Sequence, residues 1–516
     1  MIRTAYVIVF YLLVMQLGVA QPNIQWQQTF GGSFIEEAYS VIEDSDGNTL
    51  ITGVTASNDG DVFGNHGSAD YWVLKLNSQG NIIWKRLLGG SKNDIATSID
   101  ETEDGGYIVA GYSNSDDFDV SANHGGEFDG WVVKLNKFGI KEWAKAIGGS
   151  KTDMIYCVQG TSDNGCIVVG ETDSPDGDVS ISKGKLDVWV VKMDSQGEIE
   201  WEKSFGGSEE DKASSVTACS DSSYLVVGET RSIDGDVTNQ NGSVDFWVLK
   251  LRPTGELDWQ KTFGGTSADY GSDGIQTLSG DYVITGYVGS QNSGDVTGHN
   301  QLGSFDYWVV RLDQSGNLKW QKTAGGSDAD WARQIVQSPL GGFIVTGSTI
   351  SLNGDVFNNF TTPNYWLIKV SEDGELLWQK TYGGSLADRS YAIANSYGNR
   401  VIIAGYTRST DGDVSGANHH GNTDFWIVKL SPENTSPNQT PEAETLKLYP
   451  NPCGASVMLE IPEADELEII LTDISGKTVL AKKMSGAQEL LNLSNLPRGV
   501  YLLRAGKWVE MVYKTE

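Results

Sequence analysis

The chain has 516 residues, 39% of them hydrophobic and 10% aromatic, and carries 68 Asp+Glu against 37 Lys+Arg for a formal net charge of −31. That composition belongs to a globular protein; it excludes a chain that grips the polyanionic backbone of a nucleic acid and disfavours one that binds anionic lipid. Four cysteines over this length are no disulfide framework, and Cys157, Cys166 and Cys219 read as small buried hydrophobes rather than as a bridge.

In chain order, residues 1–20 place Arg3 before an apolar run and end on the small residues Gly18 and Ala20, the pattern of an export signal. The run from Ala5 to Met15 is too short to be a membrane span. Residues 21–430 then repeat one unit: D-x-W-V-x-K-L, a short turn, a second Trp, Gly-Gly-Ser, two short apolar runs, and G-D-V. The D-x-W tryptophans are Trp72, Trp131, Trp189, Trp247, Trp308, Trp366 and Trp426, recurring every 58–61 residues. A period of that length marks a repeat architecture.

Within one copy, Glu36 to Thr55 holds two apolar runs joined by Asp44-Ser45-Asp46-Gly47, and Asp70 to Leu88 holds two more joined by Asn77-Ser78-Gln79-Gly80. Runs rich in Val, Ile, Tyr and Trp around such turns are antiparallel strands, here lettered a to d. Strands b and c look apolar on both faces and need cover on both, which radially packed sheets supply. The ends decide between a ring and a linear solenoid. The chain after the signal opens on a lone strand d, Ile24 to Phe30, and the last copy stops after strand c at Leu430. The expected fold is therefore all-β: a seven-bladed β-propeller of four-stranded antiparallel blades closed by the N-terminal strand, followed by a small C-terminal β-sandwich. Only the stretch between strands b and c varies in length, so the face carrying the b–c and d–a loops is the expected functional face.

Unlike residues at matched positions break the repeat symmetry. The second residue of strand a is Glu37, Ile95, Met154, Lys212, Tyr270, Trp331 or Arg389, and this position lies at the mouth of a propeller channel. Lys212, Tyr270, Trp331 and Arg389, on consecutive copies, are candidates for an aromatic platform that binds a sugar or peptide. Asp59 with Asp61, Asp176 with Asp178, Asp234 with Asp236 and Asp411 with Asp413 are candidate calcium ligands, against the simpler reading of a repeated turn acceptor. His66, His124, His299, His419 and His420 all fall in b–c loops; equivalent positions on adjacent blades are too far apart to share one metal ion, and the N-H-G spelling reads as a turn with a left-handed glycine. No G-x-S-x-G, H-E-x-x-H or P-loop occurs, and no catalytic residue is assigned.

Two resemblances rest on particular residues. Leu312-Asp313-Gln314-Ser315-Gly316-Asn317-Leu318-Lys319-Trp320 and Met193 to Trp201 resemble the repeat of quinoprotein-type propellers, in which a turn glycine precedes a docking tryptophan. The likeness covers the scaffold only; with no adjacent Cys pair, no quinone is expected. Residues 431–445 read as a Pro- and Asn-bearing linker. Beyond it come Tyr449-Pro450-Asn451-Pro452, then Asp473-Ile474-Ser475-Gly476-Lys477, then Leu496-Pro497-Arg498-Gly499-Val500-Tyr501. Residues 446–516 thereby resemble the type A C-terminal sorting domain of the type IX (Por) secretion system of Bacteroidota. The resemblance implies export across the outer membrane by that machinery, a cut in the linker, and release or surface attachment. The expected product is a monomeric, extracellular or surface-displayed binding platform for a polysaccharide or protein. The alternatives are a carbohydrate-active hydrolase or lyase at the channel mouth and an adhesin stiffened by calcium.

Overall fold

The computed structural model describes residues 21–298, 304–417, 419–433 and, of the C-terminal segment, 447–449, 453, 455–460, 467–473, 477–484, 488–505 and 508–515. Residues 1–20, expected to be an export signal, lie outside them, as do His299 and the motif residues Pro450, Asn451, Pro452 and Gly476. Chain contacts divide the molecule into two compact units, the repeats through Thr435 and the segment from Ser436.

The repeats form seven four-stranded antiparallel sheets. Blade 1 is built from a (Glu36–Glu43), b (Thr49–Thr55), c (Asp70–Leu76) and d (Ile82–Leu88), and blades 2 to 6 follow in the same order. Blade 7 takes a (Asp388–Ser396), b (Arg400–Thr407) and c (Asp424–Leu430) from the end of the repeats and d (Ile24–Phe30) from their beginning. That closing strand pairs antiparallel with strand c, from Ile24 opposite Leu430 to Phe30 opposite Phe425. Each strand a packs against the strand a of the next blade, and that of blade 7 against that of blade 1, so seven inner strands ring a central axis.

Strands b and c of blade 1 are buried along their whole length, as doubly covered strands must be. Blades lock through the outer tryptophans. Gly139, at φ 72°, ends its c–d turn so close to the neighbouring blade that a Cβ would lie 2.9 Å from the Trp84 ring, and Gly197, at φ 78°, holds the same relation to Trp143. The Trp143 Nε1 then donates to the Ser195 carbonyl at 3.1 Å. A positive φ and a missing side chain are both required, which only glycine meets without strain.

A buried cation on strand c is paired in every blade. Lys75–Asp44 (2.7 Å), Lys134–Asp104 (3.0 Å), Lys192–Asp163 (2.8 Å), Lys250–Asp221 (3.5 Å) and Arg311–Asp281 (3.0 Å) join it to the a–b turn of its own blade. The a–b turns of blades 6 (Ser338 to Gly342) and 7 (Tyr397 to Asn399) hold no acid, and their cations find acids elsewhere: Lys369 pairs with Glu433 at 2.6 Å and Lys429 with Glu43 of blade 1 at 3.1 Å. Glu433 also accepts from Ser338 Oγ (2.8 Å) and Trp378 Nε1 (3.0 Å). The chain thus leaves the propeller through a buried acid that takes the place of a missing c–d turn.

The C-terminal unit has a three-stranded sheet, Lys447–Tyr449, Ser456–Glu460 and Gln488–Asn492, and a four-stranded one, Thr478–Met484, Leu467–Asp473, Gly499–Ala505 and Trp508–Lys514. One core joins them, with Val457, Leu459 and Leu491 from the first and Ile469, Leu471, Tyr501 and Val512 from the second. The Lys477 amide donates to Asp473 Oδ1 at 3.1 Å, and Tyr501 Oη donates to the Pro497 carbonyl at 2.5 Å. All four cysteines are free thiols. No helix among the described residues is long and apolar enough to cross a membrane.

Candidate functional site

Each strand a carries a β-bulge between its third and fifth residues. A bulge inserts one extra residue and re-aims its side chain. The residues so placed, on the strands that ring the axis, are Tyr39, Thr97, Tyr156, Ser214, Ser272, Arg333 and Tyr391. Above them, toward the b–c and d–a loops, lies the layer of Glu37, Lys212, Tyr270, Trp331 and Arg389, each opposite a strand-b residue: Val54, Glu229, Tyr287, Ser348 and Tyr406 in turn.

The channel is chemically lopsided. On blades 5 to 7 and 1, the Arg389 guanidinium lies 5.3 Å over the Trp331 ring, and Arg333 lies 5.7 Å from the Tyr391 ring and 5.9 Å from that of Tyr287. Tyr391 is 5.1 Å from Tyr39, whose hydroxyl donates to Glu37 at 2.8 Å. On blades 3 and 4, Lys212 pairs with Glu171 at 3.0 Å, and the Tyr156 hydroxyl donates to Glu171 at 2.9 Å. Burial raises the Glu37 carboxyl above its ordinary value against the pull of the Tyr39 hydrogen bond and Arg389; burial likewise raises Glu229, with Lys212 opposing.

Of the four residues singled out in the sequence, Trp331 and Arg389 meet. Tyr270 stacks on Tyr287 at 5.0 Å, and Lys212 turns to Glu171 instead. Arg333, Tyr391 and Tyr39 were missed. Their signal is present two residues beyond the chosen position, but the bulge that brings them to the axis is invisible in the residue pattern.

The loop aspartates act on backbone. Asp59, Asp176, Asp234 and Asp411 accept the amides of Ser33, Ser150, Ser208 and Ser385 at 2.7–2.8 Å. Asp61, Asp178, Asp236 and Asp413 accept those of Gly31, Gly148, Gly206 and Gly383 at 3.1–3.3 Å. No three His, Cys, Asp or Glu side chains converge as metal ligands among the described residues. Three loop histidines bridge blades: His66 stacks on Phe118 at 4.8 Å, His124 sits 3.8 Å from Asp178, and His420 sits 4.0 Å from Asp61. Of the glycines that follow these histidines, Gly125 has the expected positive φ and Gly67 does not. Gly125 has φ 115°, whereas Gly67 is required by close approach, its Cβ position lying 2.6 Å from the Gly90 carbonyl. A polar cleft of about 570 Å³ opens off the axis on the same face, lined by Lys92, Asp116, His124 and Glu127 among others. Loops between two neighbouring blades build it, without the ring of aromatics that marks the channel.

Residues 447–514 match the family model of the secretion system C-terminal sorting domain. The tail is a type IX sorting domain. A chain with this sorting domain is exported by the type IX secretion machinery to the cell surface or the extracellular space. Over 69% of its length the chain is 21% identical to the regulatory protein FlaEY of Caulobacter vibrioides, and it spans only 42% of that relative's length. Among solved structures it is similar to a putative 6-phosphogluconolactonase from Bacteroides fragilis (12% identity, 87% of this chain and 99% of that one, TM-score 0.35). It is similar as well to a puromycin hydrolase mutant (8%, 83% and 59%, TM-score 0.45). Likenesses of that strength transfer no activity.

Proposed function

We propose that this exported propeller is a non-catalytic platform that binds a polysaccharide at the mouth of its channel, on the face of the b–c and d–a loops. The observation that carries the reading is the lopsided channel: a sevenfold scaffold holds Trp331, Arg389, Arg333, Tyr391 and Tyr39 together on one side. Aromatic faces interleaved with charged hydrogen-bonding groups suit a sugar, whose rings present apolar faces and polar edges. Strand c runs away from the b–c loops, so the last strand of the repeats ends toward the face opposite the mouth, at Leu430.

A second reading, a glycan hydrolase or lyase at the same mouth, is favoured by the raised carboxyls of Glu37 and Glu229, which hold a proton at higher pH than ordinary glutamates. Incubating the secreted protein with a polysaccharide panel separates the two. Retention on a polymer without new reducing ends supports the platform. Chain cleavage lost in Glu37→Gln or Glu229→Gln establishes the enzyme, and a panel of which no polymer is either retained or cleaved overturns both.

A further inference from the structure

We infer that the saccharide taken at this mouth is anionic, its carboxylate or sulfate groups held by Arg333 and Arg389; the inference rests on the platform reading above. The seven cations of strand c each have an acidic partner inside the blades. Lys212, in the channel, has Glu171. In a protein this rich in acid, a channel arginine with no carboxylate is therefore unexpected. Yet among the described residues neither Arg333 nor Arg389 has a carboxylate within ion-pairing distance, and the Arg389 Nε is buried with no hydrogen-bond partner.

The surroundings of the two groups fit an anion better than a neutral ligand. Arg389 packs over Trp331, and Arg333 between Tyr287 and Tyr391. A guanidinium packed against aromatic rings keeps its N–H donors directed along its own edge, where a planar carboxylate or a sulfate accepts two at once. Both arginines act electrostatically on the same hydroxyl, that of Tyr391, so they serve one locus across blades 6 and 7. Glu37 feels the Arg389 charge but accepts its hydrogen bond from Tyr39 and forms no ion pair with Arg389. The aromatic rings would take the sugar faces, and the guanidinium edges the charge.

The test uses the full-length secreted protein and two pairs of polymers that differ only in charge: polygalacturonate with its methyl ester, and dextran sulfate with dextran. Polyglutamate serves as a non-saccharide polyanion. At least one charged polymer should bind about tenfold or more tightly than its neutral partner, with the two pairs telling carboxylate from sulfate. Arg333→Gln and Arg389→Gln should each cut that preference by about tenfold, and Arg389→Lys, which keeps the charge without the fork, should fail to restore it. Neutral and charged partners bound alike, or a preference indifferent to both arginines, overturns the inference and leaves the platform standing. Polyglutamate bound as tightly as the glycans overturns the saccharide part. No binding to any of the polymers overturns the inference and the platform reading together.

Discussion

The D-x-W aspartate shows how one residue can burden a fold and still be kept. Asp70, Asp129, Asp187, Asp245 and Asp424 are buried, and in each the Oδ1 has no hydrogen-bond partner among the described residues. Each faces the first acid of the next blade across the first glycine of Gly-Gly-Ser. At Gly89 a Cβ would lie 2.6 Å from Asp94 Oδ2 and 2.9 Å from Asp70 Oδ1. Gly89→Ala is therefore expected to destabilise the propeller by about 2 kcal/mol, read from its urea midpoint. Burial first, then repulsion within the pair, pushes Asp129 up to about 7 and Asp70 and Asp245 up to about 6; Asp330, on the other side of such a pair, rises to about 7. A carboxyl raised in the fold holds protons there that the unfolded chain releases near pH 4. Its stabilising effect is full below that value and is lost as pH rises through 6 to 7. The melting temperature should therefore climb as pH falls from 8 to 5. Asn364 already places a neutral amide at this position in blade 6. Asp129→Asn is expected to stabilise the protein at pH 8, on the order of 1 kcal/mol, with the gain shrinking toward pH 5 and vanishing only near pH 4. A melting curve series over that range checks both.

At the scale of the element, the seam of blade 7 depends on both ends of the propeller. The Ser431 amide donates to the Asn23 carbonyl at 2.7 Å, and the Pro22 carbonyl accepts from Tyr382 Oη at 2.7 Å. Glu433 completes this seam, and its loss would strand Lys369 inside the protein. Breaking a buried pair on one side costs about 3 kcal/mol, because the remaining charge has no solvent to turn to. Glu433→Gln should lower the melting temperature markedly, and Lys369→Met added to it should recover part of the loss. An unchanged melting temperature in the single variant would show that the pair does not hold the seam.

For the whole molecule, rigidity comes from blade-on-blade contact repeated around a closed circle. Docked tryptophans, strand-c ion pairs and turn aspartates recur in copy after copy, and the closing strand leaves no open end. The loop carboxylates already accept turn amides. Exhaustive chelation with EDTA is therefore expected to leave the melting temperature unchanged. A drop of several degrees that calcium reverses would instead establish the calcium-stiffened form.

Fold and address were legible in the residues themselves, because both rest on local patterns. Paired apolar runs around short turns specify strands, a fixed period specifies blades, and a strand d at one end with none at the other specifies closure. The tail motifs stand in order within one short segment. The channel was legible only in part. Trp331 and Arg389 could be found by comparing copies at one position, but their meeting, the turning of Lys212 to Glu171, and the arrival of Arg333 beside Tyr391 depend on radial packing and on a bulge in every inner strand. The pairing of Glu433 with Lys369 joins residues on different blades in the same way. A repeat written along the chain determines what each blade is; which side chains meet is decided between blades, where sequence neighbours are not spatial neighbours.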